Sequence, residues 1–128
     1  MKKLVFLLLA VMMLTACGQD KENGQGAVYV NITAEEAKQI MDTEEGYIIL
    51  DARTQDEFDE MHIPGAILIP HDEITEKAED LLTDKDQLIL VYCRSGRRSK
   101  LAAEALVELG YTNIKEFGGI IDWPYEIE

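Results

Sequence analysis

One cysteine in this sequence is followed by the residue types that favour nucleophilic chemistry. After Cys93 come, in order, Arg94, Ser95, Gly96, Arg97, Arg98 and Ser99. The thiolate form of cysteine is the nucleophile, and neighbouring cations stabilise it relative to the thiol. Glycine allows the backbone to curve tightly. The segment therefore predicts a cysteine nucleophile that is held in a short loop.

The residues on either side of this segment predict the elements that hold it. Residues 88–92 form an unbroken apolar run, which is typical of a strand buried on both faces. Beyond the segment, apolar residues recur at helical spacing up to Gly110, which marks a helix end. A strand, a tight loop and a helix in this order direct backbone N–H groups and the positive end of a helix dipole at one place. We expect a thiol there to ionise readily.

The rest of the chain alternates between strand and helix signals. Strands are predicted at residues 29–32, 47–50, 66–69, 88–92 and 113–117. Capping boxes at Thr33 and Thr54 and an amphipathic pattern at 72–82 predict helices, and Gly118 and Gly119 predict a loop. This alternation indicates an α/β domain with a central, mostly parallel sheet of about five strands flanked by helices. Ligands of such sheets bind at the carboxyl ends of the strands, where Cys93 falls.

The first residues have the pattern of an export signal. Lys2 and Lys3 precede an apolar run at residues 4–14, which is too short for an ordinary membrane span. Small residues then lead into Cys17, which resembles the lipobox of bacterial lipoproteins, whose cysteine is lipidated. We therefore expect a signal peptide at 1–16, a lipidated Cys17 with a flexible tether at 17–28, and one domain at 29–128. A plain signal peptide with an incidental cysteine is the alternative.

Charge and cysteine content limit the partners of the chain. The net charge of −13 becomes −15 once Lys2 and Lys3 are removed with the signal peptide. Such a surface repels nucleic acid and anionic lipid headgroups, so attachment to the extracytoplasmic side of the cell membrane would depend on acyl chains. Lipidation of Cys17 would leave Cys93 as the one free thiol. Cys93 could instead be a buried apolar residue without chemistry, but its basic surroundings count against this.

Several separated motifs recur in one known family. They are Asp51-Ala52-Arg53 with Glu57-Phe58, His62-Ile63-Pro64-Gly65-Ala66, the segment from Cys93 to Ser99, and Gly118-Gly119 with Trp123. In this order and spacing, over residues 29–123, they resemble the single-domain rhodanese-like sulfurtransferases. The resemblance implies a three-layer fold around a parallel sheet. It also implies transfer of a sulfane sulfur through a cysteine persulfide, without a cofactor.

Carried over by position, the resemblance gives each site residue a role. Cys93 would hold the persulfide, and the residues expected to form the active loop around it are Arg94, Ser95, Gly96, Arg97 and Arg98. The arginines would attract a small anionic donor, such as thiosulfate or a low-molecular-weight persulfide, and a thiophilic acceptor would then take the sulfur. Asp51 and Arg53 would support the loop. Arg97 or Arg98 could instead lie on a solvated helix face or pair with acids such as Glu104.

The sequence leaves alternatives to sulfur transfer, and they differ in which residues they need around Cys93. Cysteine phosphatases place five residues between the cysteine and a phosphate-binding arginine, whereas Ser99 occupies that position here and Arg98 comes one residue early. A non-catalytic module or a sulfur carrier at the membrane is the main alternative. A thiol-disulfide oxidoreductase would need a second cysteine where Ser95 and Gly96 stand. One free cysteine and two histidines do not predict a metal site.

Overall fold

The computed structural model describes residues 28–128, so the predicted signal peptide and the predicted lipidation of Cys17 lie outside the described residues. The strands are β1 (Val30–Asn31), β2 (Ile48–Asp51), β3 (Ile67–Leu68), β4 (Ile89–Cys93) and β5 (Ile114–Gly119). The α-helices are α1 (Ala34–Thr43), α2 (Gln55–Glu60), α3 (Ile74–Leu81) and α4 (Arg97–Glu108), with 3₁₀ turns at His71–Glu73 and Ile120–Asp122.

The five strands form a single parallel sheet with the order β1-β5-β4-β2-β3. β4 lies at its centre, and all five of its residues are buried, as the apolar run predicted. The predicted α/β architecture with a parallel sheet of five strands is therefore confirmed. Its carboxyl edge carries Asp51 at the end of β2 and Cys93 at the end of β4.

Two apolar clusters fill the space on either side of the sheet. One cluster joins Val91, Cys93 and Ile114 to buried residues of α3 and α4. The other joins Leu90 and Tyr92 to Ala37 of α1 and to Trp123 near the C-terminus. Since successive side chains of a strand point to opposite faces, the two clusters take alternate residues of β4. The result is a three-layer domain in which Cys93 faces α4.

Both predicted capping boxes are present. Thr33 accepts a hydrogen bond from the Glu36 N–H group, and the Glu36 side chain accepts one from the Thr33 N–H group. Thr54 and Glu57 make the same reciprocal pair at the start of α2. Such caps typically contribute about 1 kcal/mol each, which matters most for α2 because it has only six residues.

Two predictions about the site elements were wrong. Gly118 and Gly119 belong to the end of β5 rather than to a loop, because β5 contains a bulge there: Val91 pairs with Glu116, but Cys93 pairs with Gly119. Arg97 and Arg98 form the first turn of α4 rather than part of the loop, because the positive φ of Gly96 (113°) starts the helix at once. Within residues 28–128 no helix has the length and apolar content needed to cross a membrane.

Candidate active site

Cys93 lies at the carboxyl end of β4, beneath the start of α4. It is a free cysteine and its side chain is buried. The Gly96 N–H group donates a hydrogen bond to Cys93 Sγ at 3.0 Å, and Sγ is 3.3 Å from Ser99 Oγ. Among the described residues, Gly96 is the one backbone donor to the sulfur, fewer than the several converging groups expected from the loop. This donor directs the positive end of a backbone N–H dipole at the sulfur.

The loop between β4 and α4 is short and consists of Arg94, Ser95 and Gly96. β5 approaches it so closely that a Cβ atom on Gly119 would lie only 1.9 Å from the Arg94 carbonyl oxygen. The Ile121 N–H group donates to that same oxygen at 3.2 Å. A side chain at position 119 would therefore displace the loop, and this explains the glycine there. The close approach also fixes the loop against the end of β5.

The arginines of the site have two different environments. Arg98 makes two parallel hydrogen bonds to Glu57, at 2.8 and 3.0 Å, and so joins α4 to α2. Arg94 and Arg97 are exposed and have no acidic partner in the described part of the chain. Arg98 therefore pairs with Glu57, which is far from it in the sequence, and not with Glu104.

The Arg98–Glu57 pair changes the electrostatics of both residues. The hydrogen bonds from Arg98 are the largest cause of a lowered pKa of Glu57, which falls to about 2, and the cap bonds from Thr54 act in the same direction. The pKa of Arg98 is raised by Glu57 and, more weakly, by Cys93. Arg98 thus remains charged near the sulfur while its guanidinium is held by Glu57.

Asp51 and Arg53 form a buried ion pair beside β4, the strand that ends at Cys93. Arg53 donates to both Asp51 carboxylate oxygens and to the Met61 carbonyl oxygen at 2.7 Å. The Tyr92 hydroxyl donates to Asp51 Oδ2 at 2.7 Å and accepts from the Ile63 N–H group at 3.1 Å. Burial raises the pKa of Tyr92, so it stays a neutral donor. The pair therefore fixes Tyr92, the residue before Cys93, and makes no hydrogen bond to the loop.

Two buried residues at the site were not predicted from the sequence. Ser99, in the first turn of α4, donates a hydrogen bond of 2.5 Å to Glu116 Oε2. Glu116 is 2% exposed and also accepts from the Gly118 N–H group at 3.0 Å. The signal that could have identified Glu116 is strand alternation, because it occupies the same buried face of β5 as Ile114.

The histidines lie away from this chemistry. His62 stacks on Phe58 and exchanges backbone hydrogen bonds with Glu128, which is a structural role at a turn. His71 begins the 3₁₀ turn after β3. Within residues 28–128 there is no group of three or more His, Cys, Asp or Glu side chains that could hold a metal ion.

Comparison with known proteins relates this geometry to one family. The family described as "Rhodanese-like domain" matches residues 33–124 of the chain. The chain belongs to the rhodanese-like family. This match contains every site residue from Asp51 to Glu116, and the resemblance inferred from the motifs is confirmed.

Relatives of this rhodanese-like domain have names that refer to sulfur transfer. Thiosulfate sulfurtransferase PspE of Escherichia coli is 38% identical over 73 residues, covering 57% of this chain and 70% of PspE. The putative sulfur carrier protein YrkF of Bacillus subtilis is 36% identical over 98 residues, covering 76% of this chain but only 52% of YrkF. A solved E. coli structure, "rhodanese with anions", has a TM-score of 0.60 and 34% identity, covering 64% of this chain and 96% of that one.

Proposed function

We propose that this protein is a sulfurtransferase that moves a sulfane sulfur through a persulfide on Cys93. The observation that carries the proposal is the position of the sulfur at the end of β4, where the Gly96 N–H group of the loop lies 3.0 Å from Sγ. A persulfide is an anion, and a preorganised backbone donor stabilises it without occupying the sulfur. Relatives named as sulfurtransferases support the same reaction class.

The expected donor is a small anion, thiosulfate or a low-molecular-weight persulfide. Arg94 and Arg97 are the exposed cations next to Cys93 on an otherwise acidic protein, so they supply local attraction for such a donor. In the first half-reaction Cys93 takes the sulfane sulfur and the rest of the donor leaves. In the second, a thiophilic acceptor takes the sulfur and restores Cys93.

A sulfur carrier is the second candidate. The similarity to the putative sulfur carrier protein of B. subtilis favours it, since a carrier would hold the same Cys93 persulfide and pass it to a protein. A phosphatase finds less support. Its phosphate-binding arginine would have to stand at Ser99, and Arg98 is already held by Glu57.

We also propose that the protein is a lipoprotein, anchored through Cys17 on the extracytoplasmic side of the cell membrane. The basic residues at the start, the short apolar run and the small residues before Cys17 support this. Sulfur transfer would then act on donors and acceptors outside the cytoplasm.

Persulfide formation on Cys93 can be tested directly. The purified protein, mixed with thiosulfate alone, should release about one equivalent of sulfite, and Cys93 should gain the mass of one sulfur atom. Addition of cyanide should then yield thiocyanate. Replacement Cys93→Ser should lower this transfer by on the order of a thousandfold, because the nucleophile is lost.

The matched control is Cys17→Ser, which removes the other cysteine of the chain and should transfer sulfur as the wild type does. Wild-type activity in Cys93→Ser would disprove the nucleophile assignment. A carrier differs in its acceptor, because its persulfide should be discharged faster by a protein acceptor than by cyanide.

A further inference from the structure

A buried carboxylate lies behind the nucleophile, and the function proposed above does not use it. Glu116 pairs with Val91 across the sheet and faces α4, at a position where strand alternation predicts an apolar residue. Burial of a carboxylate costs free energy unless the group is paired and hydrogen-bonded. Its partners therefore indicate what the glutamate does there.

Three buried groups form a directed chain of hydrogen bonds. The Cys93 thiol donates to Ser99 Oγ at 3.3 Å, and the Ser99 hydroxyl donates to Glu116 Oε2 at 2.5 Å. A hydroxyl has only one hydrogen, and its other possible acceptors, the carbonyl oxygens of Gly96 and Gly118, are more distant at 3.1 and 3.4 Å. The carboxylate is the nearest of these and the one that carries charge, so the chain runs from thiol to carboxylate.

We propose that Glu116 is the proton acceptor of Cys93 and acts through Ser99. The proposal rests on the proposed sulfur transfer. As Cys93 attacks the sulfane sulfur of thiosulfate, the thiol proton moves to Ser99 Oγ while the Ser99 proton moves to Glu116 Oε2. A bond forms between Sγ and the sulfane sulfur, the sulfur–sulfur bond of thiosulfate breaks, and sulfite leaves with the electron pair. One thiol, one carboxylate and one thiosulfate dianion become a persulfide anion, a neutral carboxylic acid and a sulfite dianion.

The second half-reaction reverses the proton movement. Cyanide bonds to the outer sulfur and leaves as thiocyanate, while Cys93 Sγ recovers the electron pair of the persulfide bond. The proton then returns from Glu116 through Ser99 to the thiolate. Between the two steps the Ser99 hydroxyl donates to the sulfur, so the proton stays inside the buried site for the whole cycle.

The charged groups around this chain are few and come from three directions. On α4, Lys100 Nζ is 3.7 Å from Glu116 Oε1, and the charge of Arg98 interacts weakly with Cys93. Glu57 of α2 holds Arg98, and Arg53, paired with Asp51, acts weakly on Arg98 from the end of β2. Ser99→Ala leaves all of these charges in place, whereas Glu116→Gln also removes the partner of Lys100. A change in pH dependence that both variants share therefore reports the chain of hydrogen bonds.

The test compares Glu116→Gln, Ser99→Ala and the double variant with the wild type and with Glu104→Gln, an exposed change of the same charge on α4. Two rates are measured against pH in the full-length protein. One is alkylation of Cys93 by iodoacetamide, followed on the Cys93 peptide by mass spectrometry, which requires loss of the thiol proton but no sulfur donor. The other is sulfite release in a single turnover with thiosulfate.

We expect the alkylation rate of Glu116→Gln to fall about tenfold per pH unit on the acid side, where only bulk deprotonation supplies the thiolate. The wild-type rate should fall much less steeply, because the shared proton can reside on Glu116. Ser99→Ala should show the same steep pH dependence as Glu116→Gln. The double variant should show no further loss of alkylation rate, since both changes interrupt the same chain of hydrogen bonds. Glu104→Gln should follow the wild type.

Two results would overturn the proposal. An equal change in rate at every pH would assign Glu116 a purely structural role. A variant faster than the wild type at low pH would mean that the carboxylate only repels the thiolate. If Glu116→Gln fails to fold, Ser99→Ala carries the test, because it keeps the bond from the Gly118 N–H group to Glu116. If the variants show steep pH profiles of alkylation but the wild type releases no sulfite, only the proposed sulfur transfer is refuted. If the wild type releases sulfite and all the pH profiles of alkylation are parallel, only the role of Glu116 as proton acceptor is refuted.

Discussion

The arginines near Cys93 have different chemical tasks because they have different neighbours. The Arg98 guanidinium donates two hydrogen bonds to Glu57, at 2.8 and 3.0 Å. Arg94 of the loop and Arg97 in the first turn of α4 are exposed. If the proposed function is correct, attraction of an anionic donor would fall to Arg94 and Arg97, while Arg98 joins two helices and adds its charge to the site.

This division predicts a kinetic difference at Arg97. Replacement Arg97→Gln should raise KM for thiosulfate about two- to fivefold and leave kcat nearly unchanged, because an exposed cation contributes uniform binding of up to about 1 kcal/mol. The loss should shrink as salt is added, since mobile ions screen the attraction. Steady-state assays at low and high ionic strength measure both effects. Lys38→Gln, on the opposite face of the sheet, is the control, and an unchanged KM in Arg97→Gln would contradict the assignment.

At the scale of the elements, Glu57 links two helix starts. It completes the capping box of α2 with Thr54 and binds Arg98 in the first turn of α4. The loop after Cys93 precedes α4 directly, so this link also limits how far the loop can move away from α2. Both side chains of this bidentate pair are less than a quarter exposed. We therefore expect the pair to contribute about 1 kcal/mol to the free energy of unfolding, more than the median surface ion pair.

The link predicts a pH-dependent stability. The pKa of Glu57 in the folded protein, about 2, is below its ordinary value of 4.5, so the contribution is complete above pH 4.5 and is lost as pH falls toward 2. Arg98→Gln should therefore be about 1 kcal/mol less stable than the wild type near neutral pH. Urea unfolding at a series of pH values should show this gap narrowing between pH 4.5 and 2. A gap that stays constant through this range would mean that packing, and not the ion pair, is lost in the variant.

The parts of the site that the sequence could predict are those made by neighbours in the chain. Local patterns predicted the strand β4, the turn at Gly96 and the helix α4 that follows it. The structure has each of these elements. Arg98 and Glu57, by contrast, are 41 residues apart, and no local pattern pairs them. Ser99 and Glu116 are 17 residues apart, and the glycines at 118 and 119 suggested a loop rather than the end of β5. The contacts that were missed thus join residues that are far apart in the sequence.

At the scale of the whole molecule, the net charge bears on the proposed membrane anchor. Residues 17–128 carry a net charge of −15, so this surface is repelled by the anionic headgroups of a bacterial membrane. Arg94 and Arg97 are a local exception that would suit a small anion and not a lipid surface. A protein of this kind can remain at a membrane only through an apolar anchor, and the sequence offers Cys17 for it.

The anchor leads to a prediction for cells that make the full-length chain. A fatty-acid analogue should label the wild type and Cys93→Ser equally, whereas Cys17→Ser should take up no label and should move from the membrane fraction to the soluble fraction. The reason is that acyl chains provide about 0.8 kcal/mol per buried CH₂ group, and the acidic domain has no electrostatic attraction to replace them. Fractionation in high salt is the control, because a lipid anchor withstands it and a charge-dependent contact does not. Label on Cys17→Ser would show that the lipid is attached elsewhere, and a wild type without label would leave the short apolar run as a plain signal peptide.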